Sequence, residues 1–162
     1  MTDQLTINRQ IRLRRDELEL SDVEVAARSG LSIDEYFDVE LHEDEATTVV
    51  PIGSLRRLCE VLGLRLASLL GLECPQSHVC HPANDSPSRS RSELIVTSRK
   101  AANLSQLELG DLIGFEAFAI GELEQSEEAV DAWSFALLER LANALRIPTY
   151  DLLGSGCAKC AK

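Results

Sequence analysis

The chain says the same thing twice. Leu20, Ser21, Glu24, Gly30 and Glu40 return 84 residues later as Leu104, Ser105, Glu108, Gly114 and Glu124. Apolar positions recur in step at Val23/Leu107, Val25/Leu109, Leu31/Phe115, Tyr36/Ile120 and Val39/Leu123. Each copy also closes alike: Leu55, Leu58, Leu62, Leu64 and Leu69-Leu70-Gly71 return 83 residues later as Leu138, Leu141, Leu145, Ile147 and Leu152-Leu153-Gly154. The slip from 84 to 83 places a one-residue difference in a loop. A unit this long exceeds a solenoid repeat, so the pattern predicts two tandem domains, residues 5–74 and 93–155, with a linker at 75–92 and a tail at 156–162.

Within each copy the signals are helical. Ser21 and Ser105 stand where an N-cap belongs, and Glu24 and Glu108 three residues on complete a Ser-x-x-Glu capping box. Val25 and Leu109 then fall on the inner face of the helix that follows. Gly30 and Gly114 occupy the left-handed position that ends such a helix and turns the chain. In the next helix Tyr36 and Val39, or Ile120 and Leu123, lie three apart and share one buried face. Helix, glycine turn, helix is a helix-turn-helix motif.

At these residues the chain resembles a known family. Leu104-Ser105-Gln106-Leu107-Glu108-Leu109, then Ile113-Gly114-Phe115, Ile120 and Leu123-Glu124, is similar to the Xre-type, lambda-repressor-like helix-turn-helix pattern. The closing Leu138, Leu141, Ala142, Leu145, Ile147 and Asp151-Leu152-Leu153-Gly154 match it too. The first copy is degenerate, with Asp22 in place of the family's Gln and Val39-Glu40-Leu41-His42 in place of its exit. The resemblance covers residues 20–71 and 104–154, and the helices near 8–18 and 93–102 fit it poorly. It implies an all-α fold of two tandem lambda-repressor-like bundles forming an internal pseudo-dimer, and it implies DNA binding.

The positions that would carry DNA binding have the wrong chemistry for it. In this family the start of the second motif helix and the outer face of the third meet phosphates and base edges. Here those positions are Ser21, Asp22, Ser32, Ile33, Asp34, Glu35 and Asp38 in copy one. Copy two offers Ser105, Gln106, Glu116, Ala117, Phe118, Ala119 and Glu122, of which Gln106 alone suits a base or backbone contact. Seven carboxylates and no Lys or Arg lie between Ser32 and Glu45, and five and none between Glu116 and Glu128. Because phosphate neutralisation supplies most nonspecific affinity, this face is expected to be repelled by DNA. The formal net charge of −11 is likewise opposite to the usual basic footprint, although acidity alone also serves solubility. Basic residues cluster elsewhere, at Arg9, Arg12, Arg14 and Arg15 and at Arg89, Arg91, Arg99 and Lys100. They are either a displaced phosphate-contacting surface or partners for the chain's own carboxylates.

Aromatics are scarce at 4%, which favours aliphatic helical packing, and 162 residues suffice for two modest cores. With no apolar run long enough to span a bilayer and a polar start, the expectation is a cytoplasmic protein with no membrane segment. His78 to Ser92 holds Pro82 and Pro87 and no apolar periodicity, which reads as an exposed connection.

Cysteines form a second pattern. Cys74 and Cys157 follow the Leu-Leu-Gly exits of their copies, Cys80 follows Cys74 with His78 and His81 beside it, and Cys160 follows Cys157 as Cys-x-x-Cys. Three states are open: one zinc ion held by Cys74, Cys80, Cys157 and Cys160, with His78 or His81 replacing Cys80; a disulfide; or free thiols. The zinc reading needs the copies to pack about a pseudo-twofold axis through their last helices, as the resemblance suggests. Cys59, aligned with Ala142, reads as a small buried hydrophobe.

Nothing points to catalysis, since there are three histidines, no Gly-rich phosphate loop and no nucleophile motif. The expected function is therefore binding. Acidic faces at Ser32, Asp34, Glu35, Asp38, Glu116 and Glu122, with Ile33, Phe37 and Phe118 as apolar anchors, suit a basic protein partner. The alternative is a sequence-specific transcription regulator, possible contacts being Ser105, Gln106, Arg9, Arg12 and Arg15, with metal or redox response as a further variant.

Overall fold

The computed structural model describes residues 5–72 and 90–153. Every regular element among them is a helix. The first half holds α1 (Ile7–Glu17), α2 (Asp22–Ser29), α3 (Ile33–Leu41), α4 (Glu45–Thr48), α5 (Ile52–Leu62) and α6 (Leu66–Leu69). The second holds α7 (Arg91–Ala101), α8 (Gln106–Ile113), α9 (Ala117–Gln125), α10 (Glu127–Asp131), α11 (Phe135–Leu145) and α12 (Thr149–Leu152). Matched in order, the lengths are 11, 8, 9, 4, 11 and 4 residues against 11, 8, 9, 5, 11 and 4. Arg91 and Ser92, expected in the linker, instead open α7 and are buried.

The local signals act where the sequence puts them. Ser21 and Ser105 each accept from the backbone N–H of the glutamate three residues on, which reaches back to the cap's own N–H. Gly30 and Gly114 end α2 and α8 at φ of 75° and 77°, a left-handed conformation that a Cβ penalises. A third capping box, Ser32 with Glu35, opens α3. Matched arginines finish the same turn: Arg57 donates to the Ser29 carbonyl at 3.0 Å and Arg140 to the Ile113 carbonyl at 3.1 Å. Both occupy helix-end carbonyls that lack an intrahelical partner.

A second repeated device fixes how the helices sit. Arg15 on α1 grips Glu40 on α3 through two hydrogen bonds of 2.8 and 3.1 Å and also donates to the Leu20 carbonyl. Its counterpart Arg99 on α7 grips Glu124 on α9 bidentately and donates to the Leu104 carbonyl at 2.7 Å. Around these clamps lie Ile11, Val25, Tyr36, Val39, Leu55 and Leu58 in one half and Ile95, Leu109, Ile120, Leu123, Leu138 and Leu141 in the other, all fully buried. Cys59 is buried with them as a free thiol, pushed up to about 12 by burial.

The two halves join reciprocally. α4 packs on α11 and α10 on α5, which is one contact made twice between matched elements. Pro51 meets its own counterpart Ser134 in an isolated antiparallel bridge, and the Ile52 N–H donates to the Trp133 carbonyl at 2.8 Å. Such reciprocity is the geometry of a twofold contact. The join thus runs through α4, α5, α10 and α11 rather than the short last helices where it was expected. Along one edge, Asp131 accepts from Arg56 of the first half at 3.1 Å and from Arg91 at 2.7 Å, while Glu127 accepts from Arg91 at 2.6 Å and from the Ser92 N–H at 3.0 Å. Arg56 reaches on to the Leu153 carbonyl at 2.7 Å. This edge has no mirror image, because exposed Glu139 stands where the first half has Arg56.

Two stability predictions follow from the clamp. Glu124 and Arg99 retain 7% and 11% side-chain exposure, so Glu124→Gln strands a nearly buried guanidinium. The expected loss at pH 7 is about 2–3 kcal/mol, below the range for a fully buried pair, measured by urea denaturation. A loss under about 0.5 kcal/mol would show that the clamp is not structural. Burial pushes the Glu124 carboxyl up, but hydrogen bonds from Arg99 and Gln106 outweigh it and hold the group below the usual carboxylate range. The folded state therefore binds this proton more weakly than the unfolded chain. The difference between wild type and Glu124→Gln should be full above about pH 5 and shrink as the pH falls through the lowered folded value.

Candidate functional site

The inward anchoring of Glu40 and Glu124 sets the rotation of α3 and α9, and so decides which side chains face out. On α3, Ser32, Asp34, Glu35, Phe37 and Asp38 are exposed, and Ile33 is half-buried against the core. On α9, Glu116, Phe118 and Glu122 are exposed, Phe118 at 73%. All nine residues expected on the two faces lie on or at the start of these helices. Phe118 is an outward aromatic and not part of the core.

The acidic runs are smaller outside than the sequence suggests. Glu40 is turned in to Arg15 and to the Tyr36 hydroxyl, which donates to it at 2.6 Å. Burial pushes the Glu40 carboxyl up, but the Arg15 and Tyr36 hydrogen bonds hold it below the usual range. Glu124 and Glu127 are likewise committed to Arg99 and Arg91. Glu35 closes its own capping box with Ser32, and this hydrogen bonding lowers its carboxyl. Asp34, Asp38, Glu43, Asp44, Glu116 and Glu122 remain as the exposed acids of the two runs whose carboxylates have no described hydrogen bond, and His42 stands 4.0 Å from Asp38.

The expected nucleic-acid contacts divide differently. Arg9 and Arg12 are exposed on α1, and Ser105 is exposed at its cap. Arg15 is drawn inside by Glu40, and Asp22 stands 2.9 Å away. Gln106 donates from Nε2 to Glu124 at 2.8 Å and lies over Gly121, where a Cβ would sit 3.8 Å from its amide. Arg91 and Arg99 are withdrawn into the fold, so the second basic cluster loses both from any phosphate-contacting surface. The self-pairing alternative describes these two arginines.

Cys74, Cys80, Cys157, Cys160, His78 and His81 all lie outside the described residues. Among the described residues no group of three or more His, Cys, Asp or Glu is placed to hold a metal ion, and no helix is long and apolar enough to cross a membrane. A hollow of about 320 Å³ is lined by Leu5, Ile7, Gln10, Glu43, Leu69 and Leu70. Glu43 is its single titratable group, so it offers no acid–base pair. One apolar feature escaped the sequence reading. Ile33, Phe37 and Leu41 are spaced four apart on α3 and form a stripe, with Phe37 42% and Leu41 67% exposed. The spacing is present in the sequence, where Leu41 reads only as a departure from the family's exit.

Comparison of the chain with family models, with curated proteins and with solved structures finds no match.

If Phe118 serves contact with another molecule and not the core, removing its ring costs the fold little. Phe118→Ala should leave the unfolding free energy from urea denaturation within about 0.5 kcal/mol of wild type. A loss of about 3 kcal/mol, the scale of a buried phenylalanine, would return the residue to the core.

Proposed function

We propose that this chain is a non-catalytic binding protein, an internally paired duplicate of a helix-turn-helix unit resembling the Xre type, which docks on a basic protein through α3 and α9. The repeated helix lengths, the matched glycine turns and the reciprocal join support the paired architecture. The observation that carries the functional reading is Phe118, 73% exposed on α9, with exposed Glu122 one turn on and exposed Glu116 at the N-cap of the same helix. An exposed aromatic within a charged rim has the composition of an interface centre, and no Lys or Arg lies between Glu116 and Glu128 to invite a phosphate. Duplex DNA is the disfavoured ligand. The side chains best suited to it, Gln106 and Arg15, are spent on Glu124 and Glu40. Where the groove would lie, α3 presents Asp34 and Asp38.

Position 118 tests this directly. A photo-crosslinking phenylalanine analogue placed there, in the native cell, should give an adduct that protease destroys and nuclease leaves intact. In parallel, random duplex DNA should bind the purified chain more weakly than the ~10⁻⁴ to 10⁻⁶ M of ordinary nonspecific binders. A nuclease-sensitive adduct, or a micromolar mobility shift abolished by Gln106→Ala with Arg12→Ala, would replace this reading with the transcription regulator.

A further inference from the structure

The halves share an inner architecture but not an outer one. The stripe Ile33, Phe37 and Leu41 on α3 has Ala117, Gly121 and Gln125 at the matched positions of α9, where there is no large apolar side chain to grip. Along α3 the apolar positions emerge progressively, from half-buried Ile33 through Phe37 at 42% to Leu41 at 67% exposure. Asp34 and Asp38 each follow a stripe residue, so they line one flank of the stripe about 100° around the helix. The other neighbours, Tyr36 and Glu40, point inward, and on that side exposed Arg12 of α1 stands near enough to act on Glu40.

The end of α3 adds to the field. A helix C-terminus carries partial negative charge, and cations in the last turn ordinarily offset it. The last turn of α3 has no basic residue, and the chain runs on through exposed Glu43 and Asp44. An apolar ridge two turns long, negative along one side and at its far end, is complementary to one kind of surface. We infer that α3 is the docking ridge for a cationic amphipathic helix, whose apolar residues at i, i+4 and i+7 pack on Phe37 and Leu41 while its lysines or arginines meet Asp34, Asp38 and the Glu43-Asp44 run. α9 does not take this ligand. The inference rests on the protein-binding reading and specifies the partner for one half.

The test uses the full chain and a fluorescein-labelled synthetic peptide of leucines at helical spacing with lysines between them. Two controls are a peptide of the same composition in scrambled order and one with glutamate for lysine. Fluorescence anisotropy at about 0.1 M salt should give a dissociation constant in the micromolar range for the patterned peptide alone. Phe37→Ala with Leu41→Ala should weaken it about tenfold, and Asp34→Asn with Asp38→Asn should weaken it about threefold while flattening its salt dependence. Phe118→Ala should not change it. Because Phe37 and Leu41 are exposed, the variants keep the wild-type circular dichroism, which confirms that the loss is one of contact.

Equal binding of the scrambled peptide would show mere charge attraction and overturn the inference. So would full binding by the Phe37/Leu41 variant, or loss confined to Phe118→Ala. Concentration-dependent dimerisation abolished by the Phe37/Leu41 variant would assign the ridge to a second copy instead. A failed peptide with a protein adduct at position 118 removes this inference and leaves the functional reading standing. A nuclease-sensitive adduct at 118 removes the reading itself.

Discussion

The surface of this molecule depends on two arginine–glutamate clamps. A helix has one rotational degree of freedom against its neighbours, and burying one fixed residue removes it. Glu40 and Glu124 are those residues. Each is pulled inward by an arginine from the first helix of its half, and that arginine also holds the carbonyl of the loop residue between the first two helices. With Glu40 inward beside Tyr36 and Val39, the 100° step of an α-helix turns 34, 37, 38 and 41 outward. Ion pairs of this kind add little net stability relative to apolar packing. Their contribution here is orientation: they turn an acidic sequence into a specific acidic face.

Much of this was legible before any coordinates. The capping boxes and glycine turns are encoded by residues three or a few apart, so their physics is local and a repeat exposes them. The clamp was half legible. Glu40 and Glu124 recur, and Arg15 and Arg99 stand at the same spacing, but each arginine sits among other basic residues and so also reads as part of a surface cluster. A charge that recurs in both copies beside a charge of opposite sign is better read as a pair. Counting carboxylates along the chain misled for the same reason, because linear density does not distinguish Glu40 from Asp38.

What the sequence did not encode locally it did not reveal. The join between halves brings residues 51 and 134 together, and Asp131 to Arg56, contacts that no short pattern specifies. Ser32 and Glu35, three apart like Ser21 and Glu24, cap α3 while standing on its exposed face.

The Pro51–Ser134 bridge lies where an element meets its own counterpart. In two separate identical subunits such a site would be occupied by the same residue twice, and any change there would act on both sides at once. Covalent fusion lifts that rule. One side holds a proline, which has no N–H to donate, and the other a serine, and the same freedom extends outward to Phe37 opposite Gly121 and Asp34 opposite Phe118. Each molecule therefore displays one copy of each surface at a constant ratio that neither dilution nor subunit exchange can alter. A symmetric pair shows the same surface twice; this chain shows two different surfaces once, and so has a built-in polarity.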